Sequence, residues 1–334
     1  MNTEWITLSA ERSVTLTAYL QSVGGEFRNI ARRPAVLVLP GGGYQFCSDR
    51  EADPVALPYL AAGFQVFILR YSVRKDAAWP QPLKDYDKAM ALIRANAQKW
   101  AVAPDKIAVI GFSAGGHLAA AAATMAQNRP DAAILGYAVA GSDIDMLGTG
   151  APNPTEYVDR CTCPCFLFAT RNDRIVPIAN TIDFMDALAR NDISFESHIY
   201  AFGPHGFSTC DISVQDRSAP LCNRVPHWVP DSIGWLRDIF GEFDVEGFTA
   251  PRCGHWVNGN YAPFLSVDYT VSHLLNVPEA RAAMDKLVTS ADGKINPIVM
   301  NMTLRECLRY ATLPDGTLEA LDARLWAIPN PDKA

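Results

Sequence analysis

The chain lacks the features that mark secreted, membrane-spanning and nucleic-acid-binding proteins. Its first residues, MNTEWITLSAERSVTL, have neither the basic start nor the unbroken apolar stretch of a signal peptide. No later run is apolar for long enough to cross a bilayer. Acidic residues outnumber lysine and arginine by 36 to 29, and the net charge of −7 disfavours a phosphate-backbone partner. We therefore expect a cytoplasmic protein that binds neither membranes nor nucleic acids.

Cysteine occurs without the pattern of a disulfide framework. The eight cysteines are spread over a long chain with no secretory signal, which indicates reduced thiols. Three of them alternate in Cys161-Thr-Cys163-Pro-Cys165, where an extended backbone turns neighbouring residues to opposite faces. Paired cysteine ligands of zinc are usually separated by two to four residues, so packing is favoured over a metal half-site. The sequence predicts neither a metal nor an organic cofactor.

The composition is that of a globular protein with a large core. Hydrophobic residues make up 49% of the 334 residues and charged residues 19%. This length favours one catalytic domain with an appendage over two equal domains. The texture of the sequence changes after Asp244, so we predict a catalytic domain at 1–244 and a smaller unit at 245–334.

Short apolar runs alternate with helix-length segments over the first 240 residues. This alternation predicts an α/β fold with a mostly parallel central sheet and helices on both faces. Alternating residues before position 30 predict additional antiparallel strands at one edge. The predicted central strands are 34–39, 65–71, 106–110, 133–139, 166–170 and 195–200. The predicted helices are 51–62, 83–100, 114–127, 181–191 and 232–240.

The last 90 residues form a mainly helical unit in this interpretation. The stretch from Gly247 to Pro263 is rich in Gly, Pro, Asn and aromatic residues, which predicts irregular backbone. Short helices follow, one of them begun by Val277-Pro278-Glu279, since proline is favoured in the first helical turn. The sequence leaves open whether this unit packs on the catalytic domain or on a second subunit of a homo-oligomer.

The strongest chemical signal is Gly111-Phe112-Ser113-Ala114-Gly115, which joins a predicted strand to a predicted helix. A serine in this pattern sits on a tight turn, and the glycines remove side chains that would clash there. The turn exposes the Ser113 hydroxyl and directs the Ala114 amide toward a substrate oxygen, where the helix dipole favours negative charge. We predict that Ser113 is a nucleophile and Ala114 an oxyanion donor.

A glycine-rich loop, Leu39-Pro40-Gly41-Gly42-Gly43-Tyr44, follows the first central strand. Loops of this kind complete the oxyanion hole of esterases, and we assign the amide donors to Gly42 and Gly43. Such a loop can also cradle phosphate, but the lysine and serine or threonine of a P-loop are missing here.

Two further loops supply the acid and the base that a serine nucleophile needs. Asp173 follows a predicted strand in Asn172-Asp173-Arg174, and His205 lies in Gly203-Pro204-His205-Gly206 after the last central strand. The other five histidines lack this loop context; they are His117, His198, His227, His255 and His273. The order Ser113, Asp173, His205 is the order in which one large class of α/β enzymes arranges its triad. His205 would take the proton of Ser113, and Asp173 would orient the imidazole.

The chain resembles the bacterial α/β-hydrolases of the acetyl esterase and acetylxylan esterase-like group. The resemblance runs from about residue 34 to 240. It rests on LPGGGY at 39–44, SDREADPVA at 48–56, VFILRYSV at 66–73, KIAVIGFSAGGHLA at 106–119, NDRIVP at 172–177 and YAFGPHGF at 200–207. It implies an α/β-hydrolase fold and hydrolysis of a short acyl ester, acetyl in the first place, of an acylated sugar such as xylo-oligosaccharide.

Several alternatives stay open at this level. The same triad cleaves amides, so a peptidase or amidase is one alternative and a feruloyl-type esterase is another. A non-catalytic binding protein would have lost a triad member. Tyr44 and Phe112 flank the site and either wall an acyl pocket or belong to the core. Arg50 or Glu51 either contacts the alcohol part of the substrate or forms an ion pair at the start of a helix.

Overall fold

The computed structural model describes residues 1–215, 220–245, 247–257, 262–289, 294–309, 311 and 313–331. The chain divides into two compact units, Met1–His255 and Trp256–Ala334. The sequence places this boundary earlier, at 244/245, where the composition changes. In the structure the segment after Asp244 stays with the first unit: it forms a small hairpin with Phe243, and the Ser194 amide donates to the His255 carbonyl.

The first unit is built on a single eight-stranded sheet. Its strands in chain order are β1 (Asn2–Ser9), β2 (Val14–Leu20), β3 (Arg33–Leu39), β4 (Gln65–Arg70), β5 (Val102–Phe112), β6 (Ala132–Gly136), β7 (Cys165–Thr170) and β8 (Phe195–Tyr200). Their order across the sheet is β1-β2-β4-β3-β5-β6-β7-β8. Within this order the strands β4, β3, β5, β6, β7 and β8 run parallel to one another. The β1–β2 hairpin lies at one edge, where β2 is antiparallel to both β1 and β4. This confirms the predicted α/β fold.

The strands at the centre of the sheet are buried along their whole length and are mainly apolar, because helices cover both faces. All seven residues of β3 and all six of β7 are buried. The helices of this unit are α1 (Asp53–Ala61), α2 (Gln81–Ala95), α3 (Ser113–Met125), α4 (Ala179–Arg190) and α5 (Trp228–Phe240). A short hairpin of β9 (Phe243–Asp244) and β10 (Gly247–Phe248) follows α5. No helix in the described part of the chain has the length and apolar character to span a membrane.

The second unit has a separate apolar core. Its helices are α6 (Val271–Leu275), α7 (Pro278–Val288), α8 (Leu304–Leu308) and α9 (Thr317–Leu325). The core residues come mainly from these helices and the segment before them: Leu265, Val267, Tyr269, Val271, Leu274, Ala280, Met284, Leu304, Leu308, Leu321 and Leu325. The Thr303 side chain accepts from the Glu306 amide while Glu306 accepts from the Thr303 amide, a capping box that fixes the start of α8.

Candidate active site

The candidate nucleophile lies on the turn from β5 to α3. Ser113 has φ of +53°, a left-handed conformation that residues with a side chain rarely adopt. Gly115 makes this turn possible. A methyl group added to it would lie 2.2 Å from the Leu39 carbonyl oxygen and 2.4 Å from that of Pro40. The absence of this side chain therefore lets α3 start in contact with the end of β3.

Three polar side chains from the carboxyl ends of three parallel strands form one hydrogen-bonded series. His205, after β8, has its Nε2 atom 2.9 Å from Ser113 Oγ and its Nδ1 atom 2.7 Å from Asp173 Oδ2. Because a carboxylate only accepts, His205 Nδ1 carries the proton of the neutral imidazole, and Nε2 is free to accept from the serine hydroxyl. The geometry is that of a nucleophile, a base and an orienting acid.

The Asp173 carboxylate is buried, and both of its oxygens have hydrogen-bond partners. Its side chain is only 1% exposed, and that of His205 is 16% exposed. While Oδ2 faces the imidazole, Oδ1 accepts from the amides of Ile175 and Val176 at 2.8 and 3.0 Å. Two backbone donors therefore fix the orientation of this carboxyl group toward the imidazole.

The glycine-rich loop after β3 is anchored at its start and open in its middle. The Tyr71 hydroxyl donates to the Pro40 carbonyl at 2.5 Å, and the Gly41 amide donates to Glu51 Oε2 at 2.8 Å. Among the hydrogen bonds of the described residues, none uses the amides of Gly42 or Gly43. Gly42 has φ of +129°, and an added methyl group would lie 2.2 Å from the Phe46 carbonyl oxygen, so only glycine fits. The open amides are those that the sequence assigns to the oxyanion hole, beside Ala114 on α3.

Tyr44 and Phe112 belong to the interior of the protein. Tyr44 is 1% exposed and Phe112 is fully buried. The Tyr44 hydroxyl lies 2.8 Å from Nδ1 of His117, and the Phe112 ring packs against those of Tyr137, Phe168 and Trp228. Neither side chain reaches solvent, so they do not form the wall of an open acyl pocket. The alternative interpretation as core residues accounts for their contacts.

Arg50 contacts the loop that carries His205. Its guanidinium donates to the carbonyl oxygens of Gly206 and Val214 and to the Gln215 side chain at 2.6 Å. Within the described residues these partners replace the ion pair considered from the sequence. The sequence could not predict these contacts, because the partners of Arg50 lie more than 150 residues further along the chain. Its only indication was that Arg50 closely follows the glycine-rich loop at 39–44, which is called the oxyanion loop below.

Two polar residues beside the series were not assigned to it from the sequence. Glu51 is 5% exposed and accepts from the Tyr137 hydroxyl at 2.6 Å. Tyr137 follows β6 directly and has φ of +35°, whereas the sequence predicts that the strand continues to Val139. Its ring lies 5.0 Å from the His205 ring, centroid to centroid. A tyrosine at the carboxyl end of a parallel strand was the available signal.

The remaining candidates lie elsewhere. His117 is fully buried in α3, and the three cysteines of the alternating segment are free thiols, two of them buried and Cys161 exposed. Among the described residues, no group of three or more His, Cys, Asp or Glu side chains is arranged to hold a metal ion.

Comparison with known proteins supports an α/β-hydrolase fold. Residues 28–147 match the BD-FAE family model. The structure of MGS-M1, an α/β hydrolase enzyme from a Medee basin deep-sea metagenome library, is similar with a TM-score of 0.67 and 42% identity. The similarity covers 72% of this chain and 98% of that one.

Two curated proteins are similar over about half of this chain. Endo-1,4-beta-xylanase B of Butyrivibrio fibrisolvens is 31% identical over 54% of this chain and 33% of its own length. The acetylxylan esterase of Xylanibacter ruminicola is 29% identical over 52% of this chain and 41% of its own length. The chain thus matches less than half of the length of either protein. From the fold and these similarities together, the chain belongs to the α/β-hydrolase family.

Proposed function

We propose that this protein is a serine carboxylesterase that removes short acyl groups, acetyl in the first place, from a carbohydrate such as a xylo-oligosaccharide. The observation that carries the proposal is the series from Ser113 through His205 to Asp173, with a 2.9 Å contact between Ser113 Oγ and Nε2 of the imidazole. It lies beside a loop with open amide donors. This combination is suited to acyl transfer through a covalent intermediate.

The first half of the reaction forms an acyl-enzyme. Ser113 Oγ attacks the ester carbonyl while His205 Nε2 accepts the hydroxyl proton. The amides of Gly42, Gly43 and Ala114 stabilise the negative charge that develops on the carbonyl oxygen. The imidazolium is stabilised by Asp173, whose carboxylate is held in place by two backbone amides that donate to it. The intermediate collapses as His205 returns the proton to the leaving alcohol.

The second half releases the acid. Water takes the place of the alcohol, His205 accepts one of its protons, and the resulting hydroxide attacks the acyl carbonyl. The same amides stabilise the second oxyanion, and the proton then returns from His205 to Ser113. Apart from the attacking water, each step uses groups of the chain itself.

The substrate class is supported by the curated relatives. One is named an acetylxylan esterase and another an endoxylanase, so both names refer to xylan. An acetylated xylo-oligosaccharide is the substrate that fits an esterase of this group. Because the chain matches only part of each relative, the sugar is the first part of the proposal that an experiment must address.

The test measures p-nitrophenol release from acetyl, butyryl and octanoyl esters beside acetate release from acetylated xylo-oligosaccharides. Ser113→Ala is expected to lower kcat by about 10⁴-fold or more, because the nucleophile is lost. The matched control is Ser213→Ala, since this exposed hydroxyl donates to Asp211 and lies outside the series. Acetate release by the wild type supports the sugar esterase. Turnover of p-nitrophenyl esters without acetate release rejects the sugar, and turnover of amides alone indicates an amidase.

A further inference from the structure

Glu51 is a buried carboxylate that lies close to the proposed triad without belonging to it. It ends the short 3-10 turn Asp49–Glu51 that follows the oxyanion loop. A methyl group added to Gly41 would lie 2.7 Å from Glu51 Oε2 and 3.1 Å from Ser113 Cβ, so the carboxylate and the nucleophile border the same small volume. Burying a carboxylate is unfavourable unless it is well hydrogen-bonded, and such groups are frequent at functional sites.

The two oxygens of Glu51 connect two loops of the site. Oε2 accepts from the Gly41 amide in the oxyanion loop, and Oε1 accepts from the Tyr137 hydroxyl. The Tyr137 oxygen in turn accepts from the amide of Ser208, in the loop of His205. The hydrogen bonds therefore run from the oxyanion loop to the histidine loop through one carboxylate and one phenol.

The adjacent residue reinforces this connection. The Arg50 carbonyl accepts from Ser208 Oγ at 2.5 Å, and the Arg50 guanidinium donates to the Gly206 carbonyl. Residues 50 and 51 thus hold the histidine loop through both backbone and side chains.

The groups around Glu51 include His205, with which its carboxylate interacts electrostatically. From every side the polar groups that face it are the Gly41 amide, the hydroxyls of Tyr71 and Tyr137, His205, and Arg50 on its own turn. Among the described residues none forms an ion pair with it. Burial raises the pKa of Glu51, while donation from Tyr137 and Gly41 and the nearby His205 and Arg50 charges lower it in part. Burial also raises the pKa of Tyr137 well above its usual value, so this hydroxyl stays protonated and donates.

We propose that Glu51 is a positioning residue for the reaction. Its two oxygens fix the oxyanion loop relative to the histidine loop, and its ionised form stabilises the imidazolium form of His205. The proposal rests on the serine mechanism above, but it needs no particular substrate. It goes beyond the triad because it gives the enzyme a second buried carboxylate beside the base.

The test measures the rate at which a fluorophosphonate probe labels Ser113 from pH 4.5 to 9, in wild type and in Glu51→Gln. Glutamine can accept from one of the two donors but not from both, so the plateau rate is expected to fall about 10- to 100-fold. Loss of a negative charge makes the imidazolium less stable. The acid limb of the pH–rate profile, where the labelling rate falls as His205 is protonated, is therefore expected to move to lower pH by about one unit. Asp49→Asn removes a carboxylate from the same turn that is 86% exposed, and it is expected to change neither quantity.

The outcomes separate this inference from the proposed function. Wild type that neither labels nor hydrolyses any ester rejects the serine mechanism itself. Wild type that labels normally, with Glu51→Gln equal to it in plateau and acid limb, rejects the role of Glu51. A lower plateau with an unmoved acid limb also rejects it, because a merely structural residue would give that result.

A second variant covers the case in which Glu51→Gln does not fold, as judged by circular dichroism and Tm. Tyr137→Phe removes only the hydroxyl that joins the two loops and keeps the ring packed on His205. It is expected to lower the plateau labelling rate about 10-fold at pH 8. An unchanged rate in this variant would overturn the connection between the loops.

Discussion

The Arg50 guanidinium donates a hydrogen bond to the carbonyl oxygen of Gly206, the residue that follows the candidate base. The two residues are far apart in sequence, and the contact brings the turn after the oxyanion loop against the loop after β8. Together with the contacts that Ser208 makes in the same loop, this hydrogen bond bears on how well the imidazole is held relative to Ser113.

Arg50→Ala is expected to lower kcat about 5-fold for acetyl esters of every alcohol. A hydrogen bond from an exposed arginine contributes about 1 kcal/mol, which corresponds to this factor. The measurement is kcat and KM for p-nitrophenyl, α-naphthyl and xylosyl acetates. Arg190→Ala, in an exposed i,i+4 ion pair with Asp186 on α4, is the control. If the loss depended strongly on the alcohol, Arg50 would contact substrate, as the sequence also suggested.

The predicted requirement for glycine at position 115, in the turn from β5 to α3, can be tested with Gly115→Ala. The added methyl group would lie 2.2 Å from the Leu39 carbonyl oxygen, a backbone atom that cannot move alone. We expect the free energy of unfolding to fall by about 1–3 kcal/mol. Displacement of the oxyanion loop should lower kcat by at least about 10-fold at a temperature where the variant is folded.

Gly234→Ala in α5 is the matched control for this variant. Outside its chain neighbours and the backbone of its own helix, no atom of the described residues lies within 4 Å of the added methyl group, and alanine favours helix over glycine. It should leave kcat unchanged and stabilise the protein by up to about 1 kcal/mol. Urea denaturation and ester kinetics check both variants, and a Gly115→Ala enzyme as stable and active as wild type would contradict the close approach of α3 to β3.

The sequence could predict the features that local patterns determine. Apolar runs such as β3 identify central strands, and the spacing of Gly111, Ser113 and Gly115 identifies the turn between β5 and α3. Both patterns can be recognised because each is determined within a few residues of sequence. The contacts of Glu51 could not be predicted in this way. They depend on Tyr137 leaving the strand early with φ of +35° and on the approach of the loop at Ser208, which only the assembled sheet brings together.

His117 provides a pH-dependent contribution to stability. Its Nε2 atom faces the Pro152 carbonyl at 3.4 Å, and because a carbonyl only accepts, this nitrogen carries the proton of the neutral ring. Nδ1 then accepts from the Tyr44 hydroxyl, next to the oxyanion loop. Burial lowers the pKa of His117 from 6.5 to about 4. The unfolded chain therefore binds a proton near pH 6.5 that the folded chain takes up only near pH 4.

Stability should accordingly be complete above pH 6.5 and decrease as the pH falls toward 4, by about 3 kcal/mol from this residue. Urea denaturation of wild type and His117→Gln at pH 7.5, 6, 5 and 4.5 measures it, with His198→Gln, a partly exposed histidine on β8, as the control. His117→Gln should be less stable than wild type at pH 7.5, since its buried contacts are altered, but its stability should depend less on pH. Parallel pH dependence in all three proteins would show that another group, and not His117, takes up the proton on unfolding.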